Sequence, residues 1–337
     1  MRIAVDAMGG DHAPRRPVDG ALAAARHLGI GIDLVGRAAD VRAELVRHPD
    51  ADALDIEVVD APDVVGMDES AAQALRRKPQ SSVMVAAGRV RDRHAAALVT
   101  AGHTGAAVVA AHAVFGMLEG VDRPALAPVV PTTSGSAVLL DAGATVECRA
   151  THLVQFAVMG AAYARVTLGL DRPRVGLLSI GEEASKGNEL TREAHRLIRQ
   201  APVRFVGNVE ARGIFAGEAD VIVADGFTGN VALKLCEGVV EMVEDLLREE
   251  LQSTFSSQMG YLLSQRAFRR FQKRVDYSEY GGAPLLGTAG VVVVGHGRSS
   301  VKAIRNAVVQ AARFAGGGGW ERVQRDILAA AQGAEPS

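Results

Sequence analysis

Groups able to handle an oxygen anion recur in this chain wherever a short apolar run gives way to a helical pattern. "DAMGGD" sets Gly9, Gly10 and Asp11 after the run Ile3–Asp6, and "TAGHTGA" sets Gly102, His103, Thr104 and Gly105 after Ala96–Thr100. "SIGEEASKGNE" offers Glu182, Lys186 and Asn188, and "ADGFTGN" offers Asp225 and Asn230. At such points the unpaired N–H groups of a starting helix favour negative charge, and glycine lets backbone come close. Lys186 lies among Glu182, Glu183 and Glu189. Two readings fit it: an ammonium holding a phosphate or a developing oxyanion, or a surface lysine paired with its glutamates. Asn188 either donates an amide hydrogen bond or caps the helix that follows, and the cap is the simpler role. Asp225 and Asn230 divide in the same way. His103 is titratable at a strand end, but its simpler reading is a helix-start side chain.

Missing motifs narrow the ligand. No complete GxGxxG is present, since "GHGRSS" (Gly295–Ser300) ends in serine, and none of the five lysines follows a glycine as a Walker A motif requires. GxSxG and HExxH are also absent. Cys148 and Cys236 stand far apart without a CxxC, so they read as small buried hydrophobes and indicate neither a disulfide framework nor a metal cage. The turns therefore suit a small anion better than a whole nucleotide.

The elements that must position these turns follow from periodicity. Ile3–Asp6, Ile32–Val35, Ile56–Val59, Ala96–Thr100, Val175–Ile180 and Val221–Ala224 are short, apolar runs suited to strands buried on both faces. Helical patterns alternate with them at Val18–Leu28, Ser82–Arg93, Thr151–Leu168 and Leu190–Arg199. That alternation predicts an α/β fold with a mostly parallel sheet between helices. "ALAPVVPTTSGSAVLLD" interrupts it as an antiparallel hairpin turning at Thr132–Ser136. Phe227–Leu251 predicts a long amphipathic helix with Val231, Leu235, Val239, Val243 and Leu246 on one stripe. Gly316–Gly319 separates two final helices, and residues after Gln332 read as disordered.

Bulk properties exclude several classes. Aromatics are 4% of a chain that is 48% hydrophobic, so Ala, Val and Leu must fill the core. A formal net charge of −2 argues against nucleic acid as a partner. The apolar tract Gly105–Leu118, broken by His112, is too short for a membrane span. Asp6 and Asp11 stand where a signal peptide needs an apolar run, so a cytoplasmic location is expected.

"IAVDAMGGD", "GHTGA", "VGLLSIGEEASKGNELTREA", "FVGNVEAR", "ADVIVADGFTGNVALK" and "DYSEYGGAPLLG" occur in that order between about Ile3 and Phe314. Together they resemble the bacterial PlsX family, the acyl-(acyl-carrier-protein):phosphate acyltransferases of phospholipid synthesis. The resemblance implies a three-layer αβα homodimer similar to isocitrate and isopropylmalate dehydrogenases and to phosphotransacetylases. It implies one acyltransferase unit of two lobes over residues 1–332, a helical projection at 251–275 and a disordered tail at 333–337. It also implies that inorganic phosphate takes a long-chain acyl group from acyl carrier protein, and that the acyl phosphate feeds a membrane glycerol-3-phosphate acyltransferase. Hydrogen phosphate is already an anionic nucleophile, so no cofactor or metal is expected. The reaction asks for two anions to be positioned. On this reading Lys186, Asn188 and Asn230 are catalytic. Gly9, Gly10, Asp11, Gly102, His103, Thr104, Gly105, Glu182 and Asp225 surround the phosphate. The chain departs from the family pattern at His103 and Thr145, which replace amides, and at "GMDESA" (Gly66–Ala71).

Between Leu251 and Val275 there is no acidic residue, whereas Arg266, Arg269, Arg270, Lys273 and Arg274 cluster behind Met259, Leu262 and Leu263. Such a segment suits anionic lipid, an acidic carrier protein or a dimer contact. The resemblance favours peripheral membrane attachment.

Overall fold

The computed structural model describes residues 1–275, 279 and 281–331, apart from the side chains of residues 269, 273–275 and 331. The predicted tail therefore lies outside the described residues. Twelve strands form two sheets among them. The strands are β1 (Arg2–Asp6), β2 (Gly31–Gly36), β3 (Ile56–Asp60), β4 (Ala97–Thr100), β5 (Ala125–Leu126), β6 (Val129–Thr132), β7 (Gly135–Leu140), β8 (Arg174–Leu178), β9 (Arg204–Val209), β10 (Val221–Val223), β11 (Ala283–Leu286) and β12 (Val292–Val294). The first lobe carries the order β3-β2-β1-β4-β12-β11-β5 and the second β6-β7-β10-β8-β9. Within the first sheet only β11 runs antiparallel to its neighbours, and within the second only β6 does.

Alternation along each strand builds three layers. Ile3, Val5, Ala97, Val99, Val138, Leu140, Val221 and Val223 enter one apolar cluster, while Ala4, Leu98, Ala137, Leu139 and Ile222 enter the other. The first cluster is closed by α1 (Arg15–Leu28), α6 (Ala150–Leu168), α11 (Val301–Gly316) and α12 (Gly319–Ala331). The second is closed chiefly by α3 (Ala71–Arg77), α4 (Ser82–Arg91) and α5 (Thr104–Phe115). Helix α2 (Ala38–Leu45) flanks β3, and α7 (Glu189–Ile198) and α8 (Ala211–Ala216) flank the second sheet. Each cluster draws on both sheets, so burying one lobe's strands buries the other's.

The predicted single sheet with one hairpin is thus two sheets. Ala127–Pro128 breaks the expected first hairpin strand, sending Ala125–Leu126 to the first sheet and Val129–Thr132 to the second. Strands β9, β11 and β12 went unassigned by periodicity. The break matters because it carries the chain from one lobe to the other beside the cleft.

Helices α9 (Gly226–Ser253) and α10 (Phe255–Val275) behave differently. Within α9 only Gly226 and Gly229 are buried, and the predicted stripe is exposed at Val231, Leu235, Val239, Val243 and Leu246. Leu247 and Leu251 of α9 share a small groove with Tyr261, Phe268 and Phe271 of α10.

A buried carboxylate anchors the start of α9. Asp141 is fully buried, and its oxygens accept four backbone N–H groups: Leu126 at 2.8 Å, Gly143 at 3.0 Å, Ala144 at 3.0 Å and Thr145 at 2.6 Å. Burial nevertheless pushes its carboxyl up to about 6, outweighing those donors. A Cβ on Gly226 would stand 2.6 Å from Asp141 Oδ2, and one on Gly229 would collide with the Asp141 carbonyl oxygen. Asp141→Ala strands these N–H groups and is expected to lower unfolding free energy by at least about 3 kcal/mol in urea denaturation. A loss below about 1 kcal/mol would show that the 142–145 loop is held by something else.

Candidate active site

The carboxyl ends of β1, β4 and β12 in the first lobe face the start of α9 and the β6 edge in the second. Between them lies a cleft of about 360 Å³. Its first-lobe wall includes Asp11, Gly102, Thr104 and His296; its second-lobe wall includes Ala142, Asn230, Lys234 and Glu237. Leu126, Val129, Val130, Phe215, Leu233 and Val240 make the remainder strongly apolar.

Three first-lobe loops are tied together at their roots. Asp6, buried at the end of β1, accepts the Thr100 hydroxyl at 2.7 Å and the Met8 N–H at 3.1 Å. Burial raises its carboxyl against those bonds. Thr100 Oγ1 in turn accepts the Gly102 N–H at 3.1 Å. A Cβ on Gly9 would stand 2.7 Å from Gly102 N, so glycine there is a condition of loop contact. Gly10 adopts φ +103°, and the Asp11 N–H donates to Gly297 O at 2.9 Å. The paired glycines thus approach neighbouring turns, and of this loop it is Asp11 that reaches the cavity.

The other sequence-predicted residues separate into two groups. Gly102, Thr104 and Asn230 line the cleft with Asp11. Asn230 also donates its amide to Ala142 O at 2.9 Å, clamping α9 onto the Asp141 loop. His103, Asn188 and Asp225 are N-caps: His103 Nδ1 accepts from Ala106 N–H at 3.2 Å, Asn188 Oδ1 from Thr191 N–H at 2.9 Å and Asp225 Oδ1 from Thr228 N–H at 2.9 Å. Capping occupies the Asn188 carbonyl oxygen and leaves its amide hydrogens available. Gly105 lies in the first turn of α5, a Cβ there meeting the His103 ring.

Lys186, Asn188 and Glu182 are exposed on the loop after β8 and are not among the residues lining the cleft. Glu182 faces Arg212 at 3.7 Å. Among the described residues no carboxylate comes within ion-pair distance of the Lys186 ammonium. The paired-lysine arrangement is therefore not what the loop adopts. Because β8 is the neighbour of β10, this loop stands beside the turn that starts α9. Thr145, at a family amide position, is buried and donates its hydroxyl to Pro124 O at 2.8 Å, away from the cavity.

Cys148 and Cys236 are half-buried, more open than expected, and burial pushes both thiols up to about 11. Cys236 touches the cleft but stays a thiol near neutral pH, a poor nucleophile. Lys234, Glu237, His296 and Arg298 are titratable cleft residues that motif reading missed. His296 follows β12, whose run "VVVV" before "GHG" carries the strand signal; assigning that strand would have put His296 at a carboxyl end.

On the membrane-side prediction, Leu262 is 61% and Leu263 83% exposed, Phe255 and Met259 are exposed beside them, and Arg266 and Arg270 are exposed further along α10. The side chains of Arg269 and Lys273 lie outside the described residues. No described helix is long and apolar enough to cross a membrane.

Comparison with known proteins bears on this geometry. A family model described as "Fatty acid synthesis protein" matches residues 1–322. The phosphate acyltransferase of Geobacter sp. (strain M21) is 55% identical over 315 residues, covering 94% of this chain and 89% of that protein. That of Acidobacterium capsulatum is 50% identical over 329 residues, covering 98% of each. Among solved structures, a phosphotransacetylase from Streptococcus pyogenes superposes with TM-score 0.62 at 19% identity, covering 94% of both chains. The EutD phosphotransacetylase from Staphylococcus aureus gives 0.58 at 18% identity, covering 93% of this chain and 94% of that one. At such identities these two likenesses establish the three-layer αβα fold. Extended family and curated matches, together with the six motifs, establish more: the chain belongs to the fatty acid synthesis protein (PlsX) family of phosphate acyltransferases.

Proposed function

We propose that this protein transfers the long-chain acyl group of a thioester, carried on acyl carrier protein, to inorganic phosphate. The products are an acyl phosphate, destined for a membrane glycerol-3-phosphate acyltransferase, and the free carrier thiol. The observation that carries this reading is the two-sided cleft between the lobes. Its lining combines Asn230, Thr104, the Gly102 backbone and Lys234 with the apolar Val129, Val130, Phe215, Leu233 and Val240. An apolar wall removes acyl methylenes from water at about 0.8 kcal/mol each. The polar groups of the same lining suit the phosphate and the thioester oxygen.

Direct attack accounts for the site without an acylated side chain. Both cysteines are held as thiols, while hydrogen phosphate needs only to be oriented and its charge offset. Lys186 is the cation assigned to that charge, or to the oxyanion that forms from the thioester carbonyl. Its lack of a carboxylate partner among the described residues supports this, because an unpaired ammonium need not break an ion pair to take a ligand. Asn188 and Asn230 are assigned as amide donors. Gly9, Gly10, Asp11, Gly102, His103, Thr104, Gly105, Glu182 and Asp225 are assigned to the phosphate surroundings. The first of these shape the loops, and Glu182 and Asp225 set the field at their margin.

Two contacts belong to the same reading. The exposed α9 stripe, Val231 to Leu246, is assigned to a second copy of the chain as a homodimer. The tip of α10, with Phe255, Met259, Leu262 and Leu263 ahead of Arg266 and Arg270, is assigned to an anionic membrane surface, each basic residue adding about 1 kcal/mol near it. This places a cytoplasmic protein at the leaflet where its product is consumed. The same arginines can meet an acidic carrier on its way to the cleft.

Incubating the protein with palmitoyl-acyl carrier protein, phosphate and hydroxylamine is expected to yield hydroxamate faster than a phosphate-free control, which reports the slower direct reaction of the thioester with hydroxylamine. A rate no higher than that of the phosphate-free control, or a stable acyl-enzyme, rejects direct attack. Removing one such donor typically costs about 3–4 kcal/mol of transition-state stabilisation, so Lys186→Ala is expected to lower turnover about 100-fold or more. A loss of only a few fold removes Lys186 from its central role. Sedimentation with vesicles of mixed anionic and neutral lipid checks the membrane contact. A Leu262→Glu, Leu263→Glu variant is expected to stay in the supernatant, and pelleting equal to that of the parent protein rejects the docking tip.

A further inference from the structure

A second hollow, of about 990 Å³, shares Val129 and no other described residue with the lining of the cleft. It lies toward the opposite end of the second sheet. Gly135 and Ser136 start β7, Arg174 starts β8 and Asp220 precedes β10, whereas Ala142 and Asn230, which line the cleft, follow β7 and β10. Helix α11, which continues from β12 of the first sheet, adds Arg305, Val309 and Arg313. Val166, Leu168 and Leu170 at and just beyond the end of α6 supply apolar lining together with Phe314. Both lobes therefore contribute to this hollow.

Its charges do not balance. The acids of the lining are Asp220 and Glu279, and the guanidinium groups are those of Arg174, Arg305 and Arg313. Asp220 is taken by Arg174, which reaches its Oδ1 at 2.8 Å and its Oδ2 at 3.1 Å and also donates to Gly217 O and Glu218 O. Glu279 Oε1 accepts the Lys302 ammonium at 2.7 Å. The guanidinium groups of Arg305 and Arg313 make no hydrogen bond or ion pair among the described residues, and Arg305 Nε is buried without an acceptor there. A buried N–H without an acceptor is costly and uncommon, and here its residue lines a hollow roomy enough to hold one.

Eight positions along α11 separate Arg305 from Arg313, about 12 Å at 1.5 Å per residue. Arginine side chains are long enough to converge across that span on one ligand. Each guanidinium is a permanently charged fork that pairs with two phosphoryl oxygens at once. A lone phosphate satisfies one such fork, whereas a chain of phosphoryl groups engages two. The apolar residues of α6 and α11 then suit the organic portion of the same molecule, which they remove from water. We propose that this hollow is a binding site for an organic oligophosphate, with Arg305 and Arg313 gripping its phosphoryl chain and Val166, Leu168, Val309 and Phe314 supporting its organic part. A ligand held there touches both lobes. The site lies outside the cleft and does not depend on the acyl-transfer reading.

Isothermal titration of the intact protein with inorganic triphosphate, magnesium-free ATP and inorganic phosphate tests the site. Triphosphate is expected to bind once per chain with Kd below about 1 mM, and ATP at least as tightly. Arg305→Gln and Arg313→Gln are each expected to weaken both oligophosphates about 10-fold or more. Urea unfolding of each variant separates lost binding from lost folding. Arg313 is exposed, so Arg313→Gln leaves the packing intact and decides the matter by itself if Arg305→Gln does not fold. A parent protein that binds neither oligophosphate overturns the site. Binding that Arg313→Gln leaves unchanged does so too, because the oligophosphate then sits elsewhere, the cleft included. Inorganic phosphate that binds as tightly as triphosphate and is weakened by the same substitutions overturns the need for a phosphoryl chain. ATP that binds more weakly than triphosphate overturns the role given to the apolar lining.

Discussion

Two buried carboxylates at strand ends hold the cleft together. Asp6 closes β1 and gathers the Thr100 hydroxyl and the Met8 N–H; Asp141 closes β7 and gathers four N–H groups from residues 126 and 143–145. Strands buried on both faces leave their carboxyl-end loops with polar backbone and little room, and a carboxylate is the compact acceptor for several N–H groups at once. Burial raises both acids, which marks the cost of placing them there. Each lobe thereby presents a rigid rim, and the cleft is the space between the two rims.

Helix α9 runs from that rim out to the exposed α10. Its first turn is seated so tightly on the Asp141 loop that Gly226 and Gly229 admit no Cβ. Its next two turns bring Asn230, Lys234 and Glu237 to the cleft, and its remaining length exposes an apolar stripe before the chain reverses into α10.

The cleft also sorts its chemistry by position. Apolar side chains come from the β5–β6 crossover and the α9 flank, whereas polar groups come from loop roots and helix starts. Cys236, the cysteine in this lining, has its thiol pushed up to about 11 by burial. What the lining supplies is polar groups held at fixed positions beside an apolar surface.

Much of this was legible in the linear chain. Runs such as Ile3–Asp6 and Val221–Ala224, glycines at their ends and helices between them determine parallel sheets with loops at one edge, because β-branched runs must be buried and glycine marks close approach. The six motifs determine the family. Tertiary structure alone decided the rest. Ala127–Pro128 splits an apparent single strand between two sheets, since its two halves find partners at β11 and β7. The glycine pair meets a neighbouring turn, because Thr100 and Asp6 draw the loops together. Glu237 and His296 lie 59 residues apart in sequence, and only the crossing of α9 over the β12 loop makes them neighbours. Local pattern reports which residues are buried or turning; which distant loops share a cleft depends on strand order, and that is set by packing over the whole chain.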